Sequence, residues 1–409
     1  MAVEWKRVVT ENLTSTASMS FVIDEDDMAS NLDTKVPTQQ SVKAYVDAHS
    51  GNASSQQLSH GRLTLESGVP VSSTDQTAKT ILYFTPYVGN IISLYSGSAW
   101  EDKTFTEIHI DLTETQSCTT VNGDATLTVA DTSQLIVGME VSGTGIAGGA
   151  TIASITDATH LEMSANATAD ATNNIVFKIP ASKVVDVFAY NAAGSAKLVF
   201  GPLWTNATTR ATALTTKDGV PVLTGSYSIS GTVYTEGKLR WIGTIGTTAT
   251  AGQTEDSETG RYVWNKYNKV NKKLKSYNSD FAWTISGVIA AREYQSGTNQ
   301  IRAKLVIGES QQFLITMNTY GYIMDEGTIL GAFIGIDTTT TRPAEGGTFA
   351  IWATAYGPLV GLGPGHANEI LSPGYHYLTQ CEYSAGSGGS ILHAPAGGLN
   401  EALHTTYWG

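Results

Sequence analysis

The stretch that decides the fold reads Val184-Val185-Asp186-Val187-Phe188-Ala189-Tyr190, then Asn191-Ala192-Ala193-Gly194, and shortly afterwards Leu198-Val199-Phe200. β-Branched and aromatic residues favour strands, and a short segment with Asn and Gly between two such runs is typical of a hairpin turn. The pattern therefore predicts two antiparallel strands joined by a tight turn.

Runs of the same kind continue on both sides of this hairpin. Thr80–Tyr87, Asn90–Tyr95 and Leu239–Ile245 are rich in β-branched and aromatic residues. After residue 278 the apolar and polar residues alternate, as in Ile301–Ile307 and Phe313–Met317. Many short strands separated by glycine turns are typical of a sandwich or jelly roll. We predict a mainly β chain with a central β domain (61–112 plus 179–278) and a C-terminal β-sandwich (279–409).

Residues 113–178 differ from their surroundings because they are built from Thr, Ala, Gly, Asp and Val and contain almost no aromatic residues. They predict a small β module inserted into a loop of the central domain. Within it, Gly143-x-Gly145-x-x-Gly148 matches the letters of a dinucleotide-binding loop, but Thr151–Ile155 reads as a strand. A pyrophosphate site needs a helix at that place, so we interpret the glycines as a turn.

Residues 1–60 form a segment of another character. Thr38 is a suitable N-cap, and Ser41, Val42, Tyr45 and Val46 recur at helical spacing, so a helix of about ten residues is predicted. Such a short helix is marginally stable alone and must pack on something. It is either a docked terminal helix or a self-association helix on a threefold axis, and Ser50–Ser59 reads as a linker.

The composition narrows the function classes. Charged residues make up 15% of the chain, and the formal net charge is −13. An acidic protein with few clustered Lys and Arg is a poor binder of nucleic acid. Cys118 and Cys381 lie far apart, which argues against a disulfide framework. There is no long apolar run for membrane insertion and no pattern of a signal peptide at Met1–Ser20, so release by lysis inside a particle is expected.

One basic run, Arg261–Tyr277, mixes lysines with aromatic residues. This mixture also occurs in nucleic-acid-binding segments. Val263, Tyr267, Val270 and Leu274 lie at helical spacing, however, so we predict an amphipathic helix whose lysines face water.

Tyrosine and tryptophan residues on polar, glycine-rich stretches of the C-terminal segment are candidates for stacking on sugar rings. The alternative is that they fill the β core or a subunit contact. The candidate glycan-binding residues are Tyr356, Tyr375, Tyr377, Tyr383 and Trp408.

No motif for a cofactor, a metal ion or catalysis is found. The C-terminal histidines His366, His376, His393 and His404 lack the spacing of a metal site. Candidate carboxylates for glycan cleavage exist, but nothing in the sequence pairs them. We therefore expect a protein that is not an enzyme and needs no cofactor. The carboxylates are Asp325, Glu326, Glu369 and Glu382.

Three parts of the chain resemble proteins of tailed phages. The stretch Val36–Ala48 resembles a segment that recurs near the N-termini of tailed-phage fibre proteins. The stretches around Gly61–Leu65, Arg210–Leu214 and Leu239–Thr244, with Arg261–Asn268, are similar to a module of phage tail-fibre and spike-like proteins, and the insert resembles a small β module of phage structural proteins. The resemblance covers about residues 36–278. It implies a homotrimer docked to the particle through its N-terminus, and it brings no catalytic residues.

The sequence thus predicts a virion protein assembled in the host cytoplasm, a homotrimeric tail fibre or tailspike subunit that attaches to a host surface polysaccharide. In this interpretation residues 1–60 bind other virion proteins of the tail, baseplate or capsid. Two alternatives stay open: a capsid decoration protein (head fibre or cement) anchored through the same N-terminus, and a glycan-cleaving tailspike enzyme.

Overall fold

The computed structural model describes residues 22–25, 27, 29, 35–50, 57–277, 283–286, 289–293, 302–323, 329–341, 348–352, 359–385, 390–393 and 402–409. The chain divides into two compact units, residues 1–56 and residues 57–409. The first unit contains β1 (Val22–Ile23), β2 (Val36–Pro37) and α1 (Gln39–Ser50). No helix within the described ranges has the length and apolar character that crossing a membrane requires.

The second unit is built from short strands. Its first part comprises β3 (Gly61–Thr64), β4 (Gln76–Lys79), β5 (Ile81–Pro86), β6 (Ile91–Tyr95), β7 (Trp100–Thr104), β8 (Ile108–Asp111), β9 (Thr113–Thr120), β10 (Thr126–Thr128), β11 (Glu140–Ser142), β12 (Ile152–Ile155), β13 (His160–Met163) and β14 (Ala171–Lys178). The middle part comprises β15 (Val184–Ala192), β16 (Ser195–Leu203), β17 (Leu214–Lys217), β18 (Val220–Leu223), β19 (Tyr227–Ile229), β20 (Thr232–Tyr234), β21 (Arg240–Gly246), β22 (Thr254–Asp256), β23 (Gly260–Arg261), β24 (Val263–Asn265) and β25 (Asn271–Tyr277). The last part comprises β26 (Trp283–Ser286), β27 (Ile289–Glu293), β28 (Ala303–Ile307), β29 (Gln311–Ile323), β30 (Ile329–Ile336), β31 (Thr348–Trp352), β32 (Leu359–Leu371), β33 (Gly374–Ala385), β34 (Ser390–His393) and β35 (Ala402–Trp408). The predicted fold class, mainly β with a short N-terminal helix, is confirmed.

Helix α1 begins where the sequence predicts. The backbone N–H of Ser41 donates to Oγ1 of Thr38 at 3.0 Å, which is the hydrogen bond of an N-cap. The hydroxyl groups of Thr38 and Ser41 both donate to the carboxylate of Asp24, and these bonds lower the pKa of that carboxyl group. The cap therefore also ties the helix to the segment that precedes it.

The central hairpin forms as predicted, with β15 and β16 antiparallel. Ala193 and Gly194 have φ angles of +49° and +98°, as a two-residue turn between right-twisted strands requires. The side-chain oxygen of Asn191 accepts a hydrogen bond from the N–H of Gly194 at 2.8 Å and closes the turn. Strand β21 pairs with the other edge of β15, so β15 lies inside its sheet.

All six strands between residues 113 and 178 form one antiparallel sheet in the order β11-β14-β9-β10-β13-β12. After the glycine turn that follows β11, the chain enters a strand, β12, and not a helix, which confirms the interpretation of those glycines. Leu127, Ile152 and Ile175 of this sheet share one apolar core with Leu82 and Val187 of the surrounding strands.

Two other sheets contain strands from both sides of residue 278, the predicted domain boundary. One has the order β31-β30-β33-β28-β23-β22-β4, with β27 also paired to β33. The other has the order β25-β35-β29-β34-β26, with β32 also paired to β29. A second large core joins Trp241 and Trp264 to Leu305, Ile315 and Leu403.

The predicted amphipathic helix at Arg261–Tyr277 is wrong, because this segment forms β23, β24 and β25. Asn265 exchanges two hydrogen bonds with the backbone of Leu63, and Nδ2 of Asn268 donates to the carbonyl of Gly61 at 3.0 Å. Asn268 itself has a φ of +52°, which interrupts any helix. Long-range strand pairing thus overrides the helical spacing of the apolar residues.

Candidate functional site

The predicted sugar-binding residues Tyr375, Tyr377 and Tyr383 all lie on β33. Alternate residues of a strand point to the same side of the sheet, so the three share one face. On the neighbouring strand β28, Val306 pairs with Tyr375 and Lys304 pairs with Tyr377. The register therefore places Tyr377 beside Lys304.

Tyr375 borders a cavity of about 350 Å³. Segments distant in sequence form its wall, including the start of β15, the end of β21 and strand β28. The lining side chains used below are Lys183, Thr247, Tyr262, Arg302, Lys304 and Tyr375.

Backbone and hydroxyl contacts fix the wall. Oγ1 of Thr247 donates to the carbonyl of Pro180 at 2.6 Å and accepts from the N–H of Lys183 at 2.8 Å. On the opposite side, the N–H of Tyr375 donates to the carbonyl of Ala207 at 2.9 Å. Gly374 has a φ of +137°, and a Cβ atom there would lie 2.5 Å from that same carbonyl oxygen. Glycine is therefore required at position 374 for the segment around Ala207 to pack against the start of β33.

An apolar and aromatic cluster borders the cavity through Val184 and Tyr262. Val184, Trp204, Tyr262 and Val306 form a buried cluster, and Tyr375 packs against it. The ring centres of Tyr262 and Tyr375 lie 5.9 Å apart. Burial raises the pKa of both phenols, so both stay neutral near pH 7.

Arg302 is held rigidly at the rim. Its Nε and Nη2 donate to the two carboxylate oxygens of Glu293 at 2.6 and 2.7 Å, and the hydroxyl of Thr379 donates to the same carboxylate at 2.7 Å. The guanidinium group also lies 4.3 Å from the ring centre of Tyr377. Bidentate pairing and ring stacking fix the position of the guanidinium group. The charge of Arg302 is thereby largely compensated by Glu293.

Lys183 and Lys304 are compensated less. Both side chains are partly exposed, and within the described ranges neither forms an ion pair with Asp or Glu. Glu255 is the carboxylate that interacts electrostatically with Lys304. Burial raises the pKa of Glu255, and the charge of Lys304 opposes that shift. The cavity therefore offers neutral phenols together with two ammonium groups, which suits a ligand with a ring and a negative charge.

The other predicted sugar-binding residues lie elsewhere or outside the described residues. Tyr383 lies over Gly331, where an added Cβ atom would be 1.9 Å from the tyrosine ring. Trp408 is exposed on β35, in the sheet that contains β29. Tyr356 lies outside the described residues. The structure thus gathers Tyr375 and Tyr377 around Arg302, and the sugar-binding role of all five residues stays a prediction.

Sequence reasoning did not identify Lys183, Tyr262, Arg302 and Lys304. Arg302 and Lys304 alternate with apolar residues in a segment that is predicted to be a strand. Alternate residues of a strand lie on the same face of a sheet, so the sequence does predict that these two side chains share a face. Lys183 and Tyr262 come from other strands, and their approach to Tyr375 depends on pairings that the sequence does not display.

The remaining candidate groups are separate from this cavity. Glu382 is buried and accepts a hydrogen bond from Arg292 at 2.7 Å, whereas Glu369 lies on β32 of the other sheet. Asp325 and Glu326 lie outside the described residues. No cluster of three or more His, Cys, Asp or Glu side chains suited to a metal ion occurs in the described part of the chain. Cys118 and Cys381 are both buried free thiols.

Comparisons with known proteins give weak similarities. No family model matches the chain, and no curated protein matches it. A structure of the Gx strain of infectious bursal disease virus aligns at 13% identity over 73% of this chain and 70% of that chain, with a TM-score of 0.25. T=1 particles derived from infectious bursal virus align at 12% identity over 73% and 70%, with a TM-score of 0.21. A Bacillus thuringiensis Cry1Da tryptic core variant aligns at 6% identity over 71% and 50%, with a TM-score of 0.17. Scores this low do not establish a shared fold, and no conclusion about this chain is drawn from them.

Proposed function

We propose that this chain is a homotrimeric fibre or spike subunit of a bacteriophage particle and that its 57–409 unit binds a glycan on the host surface. The cavity at Tyr375 is the observation that supports glycan binding. A tyrosine identified in the sequence as a sugar-stacking candidate lies there beside Tyr262 and three basic side chains. Aromatic faces next to hydrogen-bonding groups are the usual means of holding a sugar ring.

The virion part of the proposal rests on the N-terminal segment. Its stretch Val36–Ala48 resembles tailed-phage fibre proteins, and on α1 Val42 and Val46 are exposed. Apolar side chains on a short helix need a partner surface. Three copies of α1 around a common axis would cover these valines, and a trimer would give weak sugar sites the avidity that attachment needs.

The basic segment 261–275 supports this function over nucleic-acid binding. Nζ of Lys266 and Nζ of Lys269 each lie 2.6 Å from the carboxylate of Glu309. Lys272 pairs with Asp256, and Lys275 pairs with Glu258. Lysines that are already paired with carboxylates of the same chain are poorer ligands for phosphate groups.

Binding of the labelled full chain to cells of the infected bacterium tests the attachment role. We expect saturable binding that competes with adsorption of the particle. Tyr375→Ala should reduce binding at least tenfold, since it removes the stacking face. Tyr87→Ala, which removes an exposed tyrosine outside the cavity, should leave binding unchanged.

Antibody labelling of purified particles in the electron microscope tests the location. Label on the tail supports the fibre or spike assignment, whereas label on the shell favours the capsid decoration protein. Shortening of the glycan on incubation with the protein would favour the glycan-cleaving enzyme and would contradict a role in binding alone.

A further inference from the structure

We infer that the cavity at Tyr375 selects acidic sugars, with the ring against the tyrosine and the carboxylate bound by Lys183 and Lys304. This inference rests on the proposed function, because it specifies which glycans the attachment site accepts. The cavity of about 350 Å³ lies at the small end of the range for small-molecule sites, which suits one or two sugar units.

The charges around the cavity favour an anionic ligand. The whole chain has a formal net charge of −13, so its average surface repels a polyanion. Inside the cavity the lining includes Lys183, Arg302 and Lys304, and no lining residue within the described part of the chain is Asp or Glu. A local excess of positive charge in a recess of an acidic protein attracts anionic groups to that place.

The three basic groups of the cavity differ in whether they already have a carboxylate partner. Arg302 already donates two hydrogen bonds to Glu293, and its plane is stacked on Tyr377. It therefore acts as a fixed part of the rim. Lys183 and Lys304 keep ammonium protons for a ligand, because within the described ranges neither has a carboxylate partner at ion-pair distance. Hydrogen bonds between an ammonium and a carboxylate are roughly twice as strong as neutral ones.

The two tyrosines provide a neutral aromatic surface for the sugar ring. Burial keeps Tyr262 and Tyr375 neutral, so they add no negative charge next to the lysines. The ring of Tyr375 lies 5.9 Å from that of Tyr262, and the backbone N–H of Tyr375 donates to the carbonyl of Ala207, so two contacts hold this residue at the cavity edge. A neutral, fixed aromatic ring beside two ammonium groups matches a sugar ring that carries a carboxylate.

Two ligands that differ only in the charged group test the inference. Methyl β-D-glucuronide and methyl β-D-glucoside are titrated into the full-length protein, with calorimetry or saturation-transfer NMR as the readout. We expect the glucuronide to bind at least tenfold more tightly and its affinity to fall as salt is raised. Lys183→Gln combined with Lys304→Gln should abolish this preference.

The matched control replaces two lysines that lie outside the cavity and likewise form no ion pair in the described ranges, Lys197→Gln combined with Lys238→Gln. It makes the same change in net charge and should keep the preference. Near-ultraviolet circular dichroism checks that both double variants are folded. A preference that survives Lys183→Gln with Lys304→Gln, or one that the control also loses, would overturn the inference.

Binding of the wild-type protein to host cells, measured in parallel, separates this inference from the proposed function. Cell binding with equal affinity for the two ligands would overturn acidic selection and leave attachment standing. Cell binding without affinity for either ligand would place the glycan site outside this cavity and would also overturn the inference. Absence of cell binding would instead contradict the proposed function itself.

Discussion

Asp186 shows how single residues connect the parts of the larger unit. Its buried carboxylate accepts hydrogen bonds from the indole N–H groups of Trp204 and Trp241, both at 3.0 Å, and from Nε of Arg210 at 2.7 Å. Nη2 of Arg210 then donates to the carbonyl of Gly308 at 2.7 Å. The carboxylate thus links the central hairpin to the C-terminal strands.

Asp186→Ala should lower the free energy of unfolding by about 3–5 kcal/mol, because it leaves the Arg210 charge and two indole donors without their buried acceptor. Denaturant unfolding of the full-length protein measures the loss. The control Asp170→Ala, at an exposed position, should cost less than about 1 kcal/mol. Equal losses for the two variants would contradict the role assigned to Asp186.

His376 predicts a pH dependence of stability. Its Nε2 lies 2.7 Å from the carbonyl of Ser372 and its Nδ1 lies 2.6 Å from the carboxylate of Asp337, so both nitrogens donate only when the ring is protonated. Burial alone would lower the pKa of His376, but these two hydrogen bonds outweigh it and the pKa is raised above the ordinary value of 6.5.

A raised pKa in the folded state means that protonation of His376 stabilises the protein below pH 6.5 and that this contribution is lost as pH rises through the folded-state pKa. We expect the wild-type denaturation midpoint to fall between pH 6 and pH 9 (about the range in which His titrates) more steeply than that of His376→Gln. Parallel curves for the two proteins over this range would contradict the assignment.

At the residue scale, the sequence predicted part of the candidate site. Tyr375 and Tyr377 could be identified because tyrosine on a polar, glycine-rich stretch is an uncommon pattern in a core. The lysines could not be identified, since Lys183 stands next to a strand start and shows no motif. The role of Lys183 depends on the fold, which brings it to the same cavity as Tyr375, almost two hundred positions away.

At the scale of elements, segment 261–277 explains why one prediction failed. Spacing of apolar residues at three and four positions fits a helix, but of these residues only Leu274 lies in β25, where Leu274 is buried and the preceding Lys273 is exposed. Strand β35 pairs with β25 over seven residues, from Asn271 with Trp408 to Tyr277 with Ala402. A partner strand more than a hundred residues later decided the structure, and local spacing cannot report it.

Helix α1 was predicted correctly because its signals are local. The N-cap bond joins the hydroxyl of Thr38 to the backbone N–H of Ser41, three residues later, within one turn of the helix. The exposed side chains of Val42 and Val46 then lead to a prediction about assembly. Under the proposed trimer, Val42→Asp combined with Val46→Asp should shift the protein from trimer to monomer, because three pairs of charges would be buried at the axis.

Light scattering of the full-length protein at micromolar concentration measures this shift. Val121→Asp, which changes an exposed valine of the insert, is the matched control and should leave the mass unchanged. A trimer that persists in the helix variant would contradict self-association through α1 and would move the contact to another surface of the chain.

At the scale of the whole molecule, residues on both sides of position 278 depend on one another. Strand β28 pairs with β23, β35 pairs with β25, and Tyr407 places its hydroxyl within 3.0 Å of the carbonyls of Val263 and Val306. Composition and the alternation of apolar and polar residues predict the mainly β class. They do not predict that strands on both sides of residue 278 share sheets, because local sequence patterns do not specify the order of strands in a sheet.

A fragment that comprises residues 279–409 should therefore lack a cooperative unfolding transition when it is made alone, since it loses the strands and the core residues contributed by segment 57–277. A fragment that comprises residues 57–409 should unfold cooperatively. Calorimetry compares the two fragments. A sharp transition in the shorter fragment would show that the C-terminal segment is an independent domain.

We propose that the 57–409 unit binds an acidic host glycan at the cavity beside Tyr375. The most direct test is a crystal structure of the full-length protein with a glucuronate-containing oligosaccharide. We expect electron density for a sugar ring against Tyr375, with its carboxylate within hydrogen-bond distance of Lys183 and Lys304. Density on the exposed face around Trp408, with an empty cavity, would contradict it.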